Sequence, residues 1–122
     1  MALPTSAIPS KIAKLWVVTI STQTVSFDYP FQQKGAFAIS LQMTGTIGTG
    51  ATALQVSIDG TNFTTIAVSQ SPVIGHTELA ALTIALSPYS VNRNDLAYPF
   101  WNLKYTAGGG SSIAYTISVA ER

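Results

Sequence analysis

From Leu15 onward the hydrophobic and polar positions follow a period of two. Side chains alternate between the two faces of a β-strand, so this period predicts strands. Phe37, Ile39, Leu41 and Met43 alternate with Ala38, Ser40 and Gln42, the cleanest such run. The same pattern holds for Val25, Phe27 and Tyr29, for Leu54, Val56 and Ile58, and for Leu82, Ile84 and Leu86. It returns in Trp101, Leu103 and Tyr105, and in Ile113, Tyr115, Ile117 and Val119. Phe63–Val68 is rich in Thr and Ile, which favour strands. Leu15–Ile20 is apolar at successive positions, which predicts a strand covered on both faces.

Turn residues punctuate these runs. Asp59-Gly60 between two alternating segments predicts a hairpin, with Phe63 on the face of Val56 and Ile58. Gly108-Gly109-Gly110 predicts a second hairpin, with Tyr105 opposite Ile113 and Trp101 opposite Ile117. The Gly45–Gly50 stretch reads as a turn, and Ser87–Tyr98 as a loop with room for one short helical turn. Glu78–Leu82 could begin a helix, but the β-branched Thr83 and Ile84 favour a strand from Ala81. No segment sustains a 3.6-residue period. Short strands at this spacing indicate an all-β fold. The expectation is a single-domain β-sandwich, jelly-roll-like, with about eight antiparallel strands. Residues 1–12, with Pro4 and Pro9 and no strand pattern, read as an extended N-terminal arm. Residues 13–122 form the sandwich domain.

Composition narrows the function. The chain has 122 residues, a formal net charge of +1 and no cysteine. Disulfides, thiol nucleophiles and Cys-ligated metals are therefore excluded. Only 9% of residues are charged, against roughly 25% in an average soluble domain. Near neutrality argues against electrostatic nucleic-acid binding, and Lys11 and Lys14 beside Trp16 make only a small basic spot. No membrane-length apolar run and no secretory signal are expected, so the Asn62-Phe63-Thr64 sequon reads as chance. Interfaces are depleted of charge at their centres. Low charge thus points to a surface partly covered by other subunits.

Catalytic parts are scarce. His76 is the single histidine, and no Gly-x-Ser-x-Gly elbow accompanies it. The acids are Asp28, Asp59, Glu78, Asp95 and Glu121; Asp59 is accounted for by its turn and Glu121 by its terminal position. No enzyme, cofactor or metal site is expected. The densest feature is Tyr98-Pro99-Phe100-Trp101. Alternation turns Trp101 inward and leaves Tyr98 and Phe100 outward, where aromatic residues suit a subunit contact or a sugar platform. The interaction candidates are Tyr98 and Phe100, with Pro4, Ile8 and Pro9 of the arm reaching a neighbouring subunit.

Two stretches carry a resemblance. Leu54–Ala67, with its Ser-Ile-Asp-Gly-Thr-Asn-Phe turn, resembles a hairpin of small bacteriophage virion proteins. Trp101–Gly110 followed by Ile113–Val119 is similar to the closing hairpin of the same proteins, with Asn102-Leu103-Lys104-Tyr105 where an arginine often precedes the aromatic. The resemblance implies a β-sandwich capsid decoration (cement) protein, or a minor head or tail protein. It implies a homo-oligomer, a trimer being favoured, bound to the major capsid protein or other virion subunits. It would be assembled in the host cytoplasm and localised to the virion, without direct contact to nucleic acid or membrane. The alternative expectation is a carbohydrate-binding or tail-associated adhesion module.

Overall fold

The computed structural model describes residues 14–70, 78–79, 82 and 88–121. The described strands are β1 (Lys14–Gln23), β2 (Phe27–Gln32), β3 (Ala36–Thr46), β4 (Ala51–Ser57), β5 (Thr64–Thr65), β6 (Val68–Gln70), β7 (Glu78–Leu79), β8 (Tyr89–Ser90), β9 (Phe100–Thr106) and β10 (Ser112–Glu121). A 3₁₀ helix covers Arg93–Ala97. One sheet has the order β1-β10-β3-β8-β6-β7 and the other β2-β9-β4-β5. All pairings are antiparallel. The chain crosses between the sheets at each of the first three connections, and again before β6, β9 and β10. This is the strand order of a jelly roll. Residues 1–13, including Pro4, Ile8 and Pro9, lie outside the described residues, as does His76.

The alternating residues meet between the sheets. Ile39, Leu41 and Met43 from β3 and Ile113, Tyr115, Ile117 and Val119 from β10 face Leu54, Val56, Trp101, Leu103 and Tyr105 of the second sheet. Their burial supplies the main driving force, at roughly 25 cal/mol per Å² of apolar surface removed from water. The rings interlock: Trp16 meets Phe31 edge-on at 6.0 Å, and Phe27 contacts both Tyr105 and Tyr115. Polar atoms inside are paired, since a buried hydroxyl without a partner is costly. Tyr105 donates to Ser111 Oγ at 2.6 Å, and Tyr115 Oη bonds Thr52 Oγ1. Burial pushes the Tyr115 phenol up to about 12.

Several expectations change. The Gly108–Gly110 segment is not a hairpin, because β9 and β10 belong to different sheets. It is an arch, and Tyr105 meets Tyr115 across the core at 6.1 Å instead of pairing with Ile113. The shared inward face survives, since Trp101, Leu103, Tyr105, Ile113, Tyr115 and Ile117 are all buried. The expectation that β1 is covered on both sides fails. β1 is an edge strand whose Leu15 and Val17 are 67% and 54% exposed. In the Asp-Gly turn, Val56 pairs with Thr64, so Phe63 is out of register with Val56, and Ile58 is exposed. The loop Ser87–Tyr98 contains a strand as well as its helical turn: β8 bridges β3 and β6, with Tyr89 buried. Phe63–Val68 splits into β5 and the start of β6, one in each sheet. The strand expected from Ala81 falls outside the described residues, except for Leu82, which is buried.

Candidate functional site

The candidate site is built around the loop that leaves β4. Ser57 ends β4 with its side chain buried, and its Oγ accepts from the backbone N–H groups of Asp59 at 3.2 Å and Gly60 at 3.0 Å. The same hydroxyl donates to Asp59 Oδ1 at 2.8 Å. Asp59 Oδ1 also accepts from the N–H groups of Thr61 and Asn62, each at 2.8 Å, while Oδ2 accepts from Asn62 Nδ2 at 2.8 Å. Short polar side chains that bond the following backbone are what makes such turns rigid. Gly60 has φ +78°, and the Phe100 ring lies 3.2 Å from where a Cβ would stand. The loop is therefore held from inside by Asp59 and pressed from outside by Phe100.

Two clefts flank it. The larger, about 390 Å³, is lined by Pro30, Phe31 and Gln32 of β2, by Asp59, Gly60 and Phe63 of the loop, and by Phe100 and Trp101 of β9. The second, about 280 Å³, is lined by Val56, Ser57, Ile58, Asn62, Thr64, Ile66 and Tyr98. β2 is an edge strand, which is where Pro30, with no N–H to give a neighbour, is tolerated. Gln33 locks the nearby connection. Its Nε2 donates to the carbonyls of Leu96 and Tyr98, both at 2.7 Å, and its Oε1 accepts from Ala36 N–H. Trp101 Nε1 also donates to the Tyr98 carbonyl, at 2.7 Å.

Beside the larger cleft a polar row crosses the outer face of the second sheet. Asn102 is buried, and its Nδ2 donates to Asp28 Oδ1 at 2.9 Å and to Gln55 Oε1 at 3.0 Å. Gln55 Nε2 continues to Thr65 Oγ1. Asn102 Oδ1 has no partner in the structure.

Hydrogen bonds to the ionised form hold the Asp59 carboxyl well below the usual carboxylate range. The largest contribution is the Asn62 N–H, then the Thr61 N–H, the Ser57 hydroxyl and the Asn62 amide. A depressed folded value means the stabilisation is complete above the ordinary carboxylate range and is lost progressively as pH falls from the ordinary value through the folded one. The Thr61 and Asn62 amide shifts should therefore hold constant from neutral pH down past 3.8, the ordinary value for Asp, and titrate below it. A midpoint near that ordinary value in an NMR titration would contradict this bonding.

The structure sorts the residues singled out by sequence. It places Tyr98 and Phe100 on the two clefts, one on each side of the loop. Trp101 turns inward as alternation requires. The acids do not converge. Asp28 lies on the edge strand β2, Glu78 at the far edge of the other sheet, and Glu121 bonds Trp16 Nε1 at 3.0 Å and Lys34 N–H at 2.8 Å. Among the described residues no three His, Cys, Asp or Glu side chains stand together as a metal cluster would need. No described helix is long and apolar enough to cross a membrane. Sequence reading missed Pro30, Gln32 and Phe63 as cleft residues, because the cleft joins segments about thirty and seventy positions apart in the chain. A proline inside a strand pattern was the one local signal, since it marks an edge.

No protein-family model matches the chain, and no curated protein matches it. Among solved structures it is similar to the crystal structure of the SPBc2 prophage-derived protein YomS, at 10% identity and a TM-score of 0.71. The match covers 90% of this chain and 96% of that one. At such identity the likeness shows a shared fold, extending over almost the whole of both chains.

Proposed function

We propose that this chain is a non-enzymatic structural subunit of a bacteriophage virion, and specifically a capsid decoration protein that works as a homotrimer or other small closed assembly. The observation that carries the reading is the outer face of the first sheet. Leu15, Ala120 and Ala38 form one row across β1, β10 and β3; Val17, Ser118 and Ser40 form the next; Thr19, Thr116 and Gln42 a third. None of these nine residues is charged. A freely diffusing domain ordinarily mixes both charge signs over its surface. An uncharged face beside the ten-residue edge β1 suits burial against other subunits. The fold shared with a prophage-derived protein supports the phage setting.

The mechanism is area burial repeated around a shell. A standard interface hides about 800 Å² per partner. Modest contacts linked within one oligomer add by effective concentration. Light scattering should give a multiple of 12.9 kDa that does not change with concentration, and the protein should be retained on phage heads. Ser118→Glu, in the middle of the uncharged face, should dissociate the assembly while leaving the sandwich folded by circular dichroism. A monomeric mass at every concentration together with no retention on heads overturns the proposal. The aromatic cleft supports a second reading, a glycan-binding adhesion module. Glycan binding abolished by Phe100→Ala would favour it. The full internal use of both Asp59 oxygens counts against it, since sugars need convergent polar groups.

A further inference from the structure

The described sheets have four edges, β1 and β7 in one and β2 and β5 in the other. An open edge invites a further strand, so proteins shorten it or place charge or proline on it. β5 and β7 are two residues long, and β2 carries Asp28 and Pro30. β1 is different. It is ten residues long, holds no proline and is charged only at Lys14. Its pairing with β10 keeps one register over the seven residues from Lys14 to Ile20. Among the described residues no strand lies on its other side. Trp16, Val18 and Ile20 pack on the core yet are only half-buried. Phe31 of β2 packs on Trp16 and Phe27 on Tyr115, which places β2 beneath β1 and β10 and leaves this flank open.

The rest of the chain is poorly placed to fill the edge. Residues 71–77 leave from β6, which is four strand spacings from β1, roughly 19 Å. Out and back between β6 and β7, that segment reaches about 14 Å at most. Residues 80–81 and 83–87 are too short for a ladder of seven. Residues 1–13 hold no Gly, Asn or Asp to make a tight turn back onto β1. Pro4 and Pro9 stand an odd number of positions apart, so a strand spanning both would put a missing N–H on its ladder side.

A second copy of β1 fits. Opposed residues of an antiparallel pair point to the same face, so two β1 strands match only about a central residue. The midpoint of residues 14–20 is Val17. Val17 then meets Val17, Leu15 meets Thr19 and Trp16 meets Val18, and no charged residue is opposed to another. The ladder forms about six to eight backbone hydrogen bonds. The uncharged row of Val17, Ser118 and Ser40 runs on into the same row of the second copy. On the inner side the half-buried Trp16 and Val18 of both copies close the seam.

We propose that β1 pairs antiparallel with β1 of a second copy about a two-fold axis at Val17, joining two sheets into one. This inference rests on the homo-oligomeric reading above and makes a two-fold pair the unit of that assembly.

The test uses the full chain, which has no native cysteine. Leu15, Val17 and Thr19 are exposed, so a cysteine at each leaves the core intact. Under mild oxidation Val17→Cys should form a disulfide-linked dimer, since opposed Cα atoms stand about 5 Å apart and a disulfide spans up to about 7 Å. Leu15→Cys alone and Thr19→Cys alone should not, because each stands about 13 Å along the strand from its own equivalent. Mixed together, those two chains should cross-link. Val17→Lys should abolish the pair, and mixing it with Val17→Glu should restore it. No cross-link, in samples where light scattering shows the oligomer, overturns this pairing and leaves the assembly standing. A monomeric mass with no cross-link overturns the pairing and the homo-oligomer together. Hydrogen exchange then names the occupant. Protection of every amide in residues 15–20 of that monomer identifies the chain's own residues on the edge, and protection gained only on phage heads identifies a capsid strand.

Discussion

Trp101→Ala should lower the unfolding free energy of the sandwich by about 3–5 kcal/mol, the range for deleting a large buried aromatic side chain. Trp101 is fully buried. Its ring stacks on Phe31 at 6.0 Å, and it sits in register between Phe31 of β2 and Val56 of β4. Its indole N–H donates to the Tyr98 carbonyl, so it also ties the 3₁₀ segment to the sheet. A loss of that size is a large share of the 5–15 kcal/mol that a typical domain has. Trp101→Phe should cost far less. The Tyr98 carbonyl keeps its bond from Gln33 Nε2, so no acceptor is stranded. Trp16, the second tryptophan, is half-buried and bonded to Glu121, and Trp16→Ala should fall between the two. Urea denaturation of the three variants measures this order. Equal losses for Trp101→Ala and Trp16→Ala would contradict it.

Gly48→Ala should destabilise the sandwich by about 2–3 kcal/mol from backbone strain and displacement. Gly48 has φ +55°, and a Cβ there would stand 2.2 Å from the carbonyl oxygen of Gly109 and 2.8 Å from Gly110 C. These are backbone atoms, which no rotamer change can move aside. The β3–β4 turn is pressed against the arch between β9 and β10, and Thr49 N–H donates to the Gly109 carbonyl at 3.1 Å. The run of three glycines in that arch then separates by position. Gly108→Ala meets Thr49 C at 2.4 Å, whereas Gly109→Ala meets only Thr49 Oγ1 at 3.5 Å. Gly109→Ala should be neutral or slightly stabilising, because it reduces the freedom of the unfolded chain. Thermal melts of the three variants give the comparison. A Gly48→Ala melt matching that of Gly109→Ala would show that the two loops do not touch in solution.

These glycines show where local reading stops. Both loops read as turns because glycine interrupts an alternating pattern, and they are turns. That they lie backbone against backbone is a fact about segments some sixty residues apart, and nothing in either segment alone expresses it. The Asp59 loop divides in the same way. The Ser57-x-Asp59-Gly60 pattern is a local turn device, and its hydrogen bonds run within four residues. Its place between Phe100 and Tyr98 was not legible, because it depends on β4 pairing with β9.

The period of two determined by itself that the chain folds as strands and most of the side chains they bury, although Val25, Phe37 and Ile58 follow the pattern and are exposed. Each inward residue of β3, β9 and β10 could be named from alternation, since a strand has only two faces and the bulky one must leave water. Neutrality and the absence of cysteine likewise set limits that no folding can alter. Only the tertiary structure decided which strands pair. The Gly108–Gly110 connection serves equally as a hairpin or as an arch between sheets, and the difference lies in non-local hydrogen bonds from β9 to β2 and β4 and from β10 to β1 and β3. It also decided that the apolar outer face of β1 stays open, and that Pro30, Phe63 and Phe100 form one cleft. Alternation orders the side chains along one strand, whereas an interface or a cleft depends on the neighbour that a strand acquires.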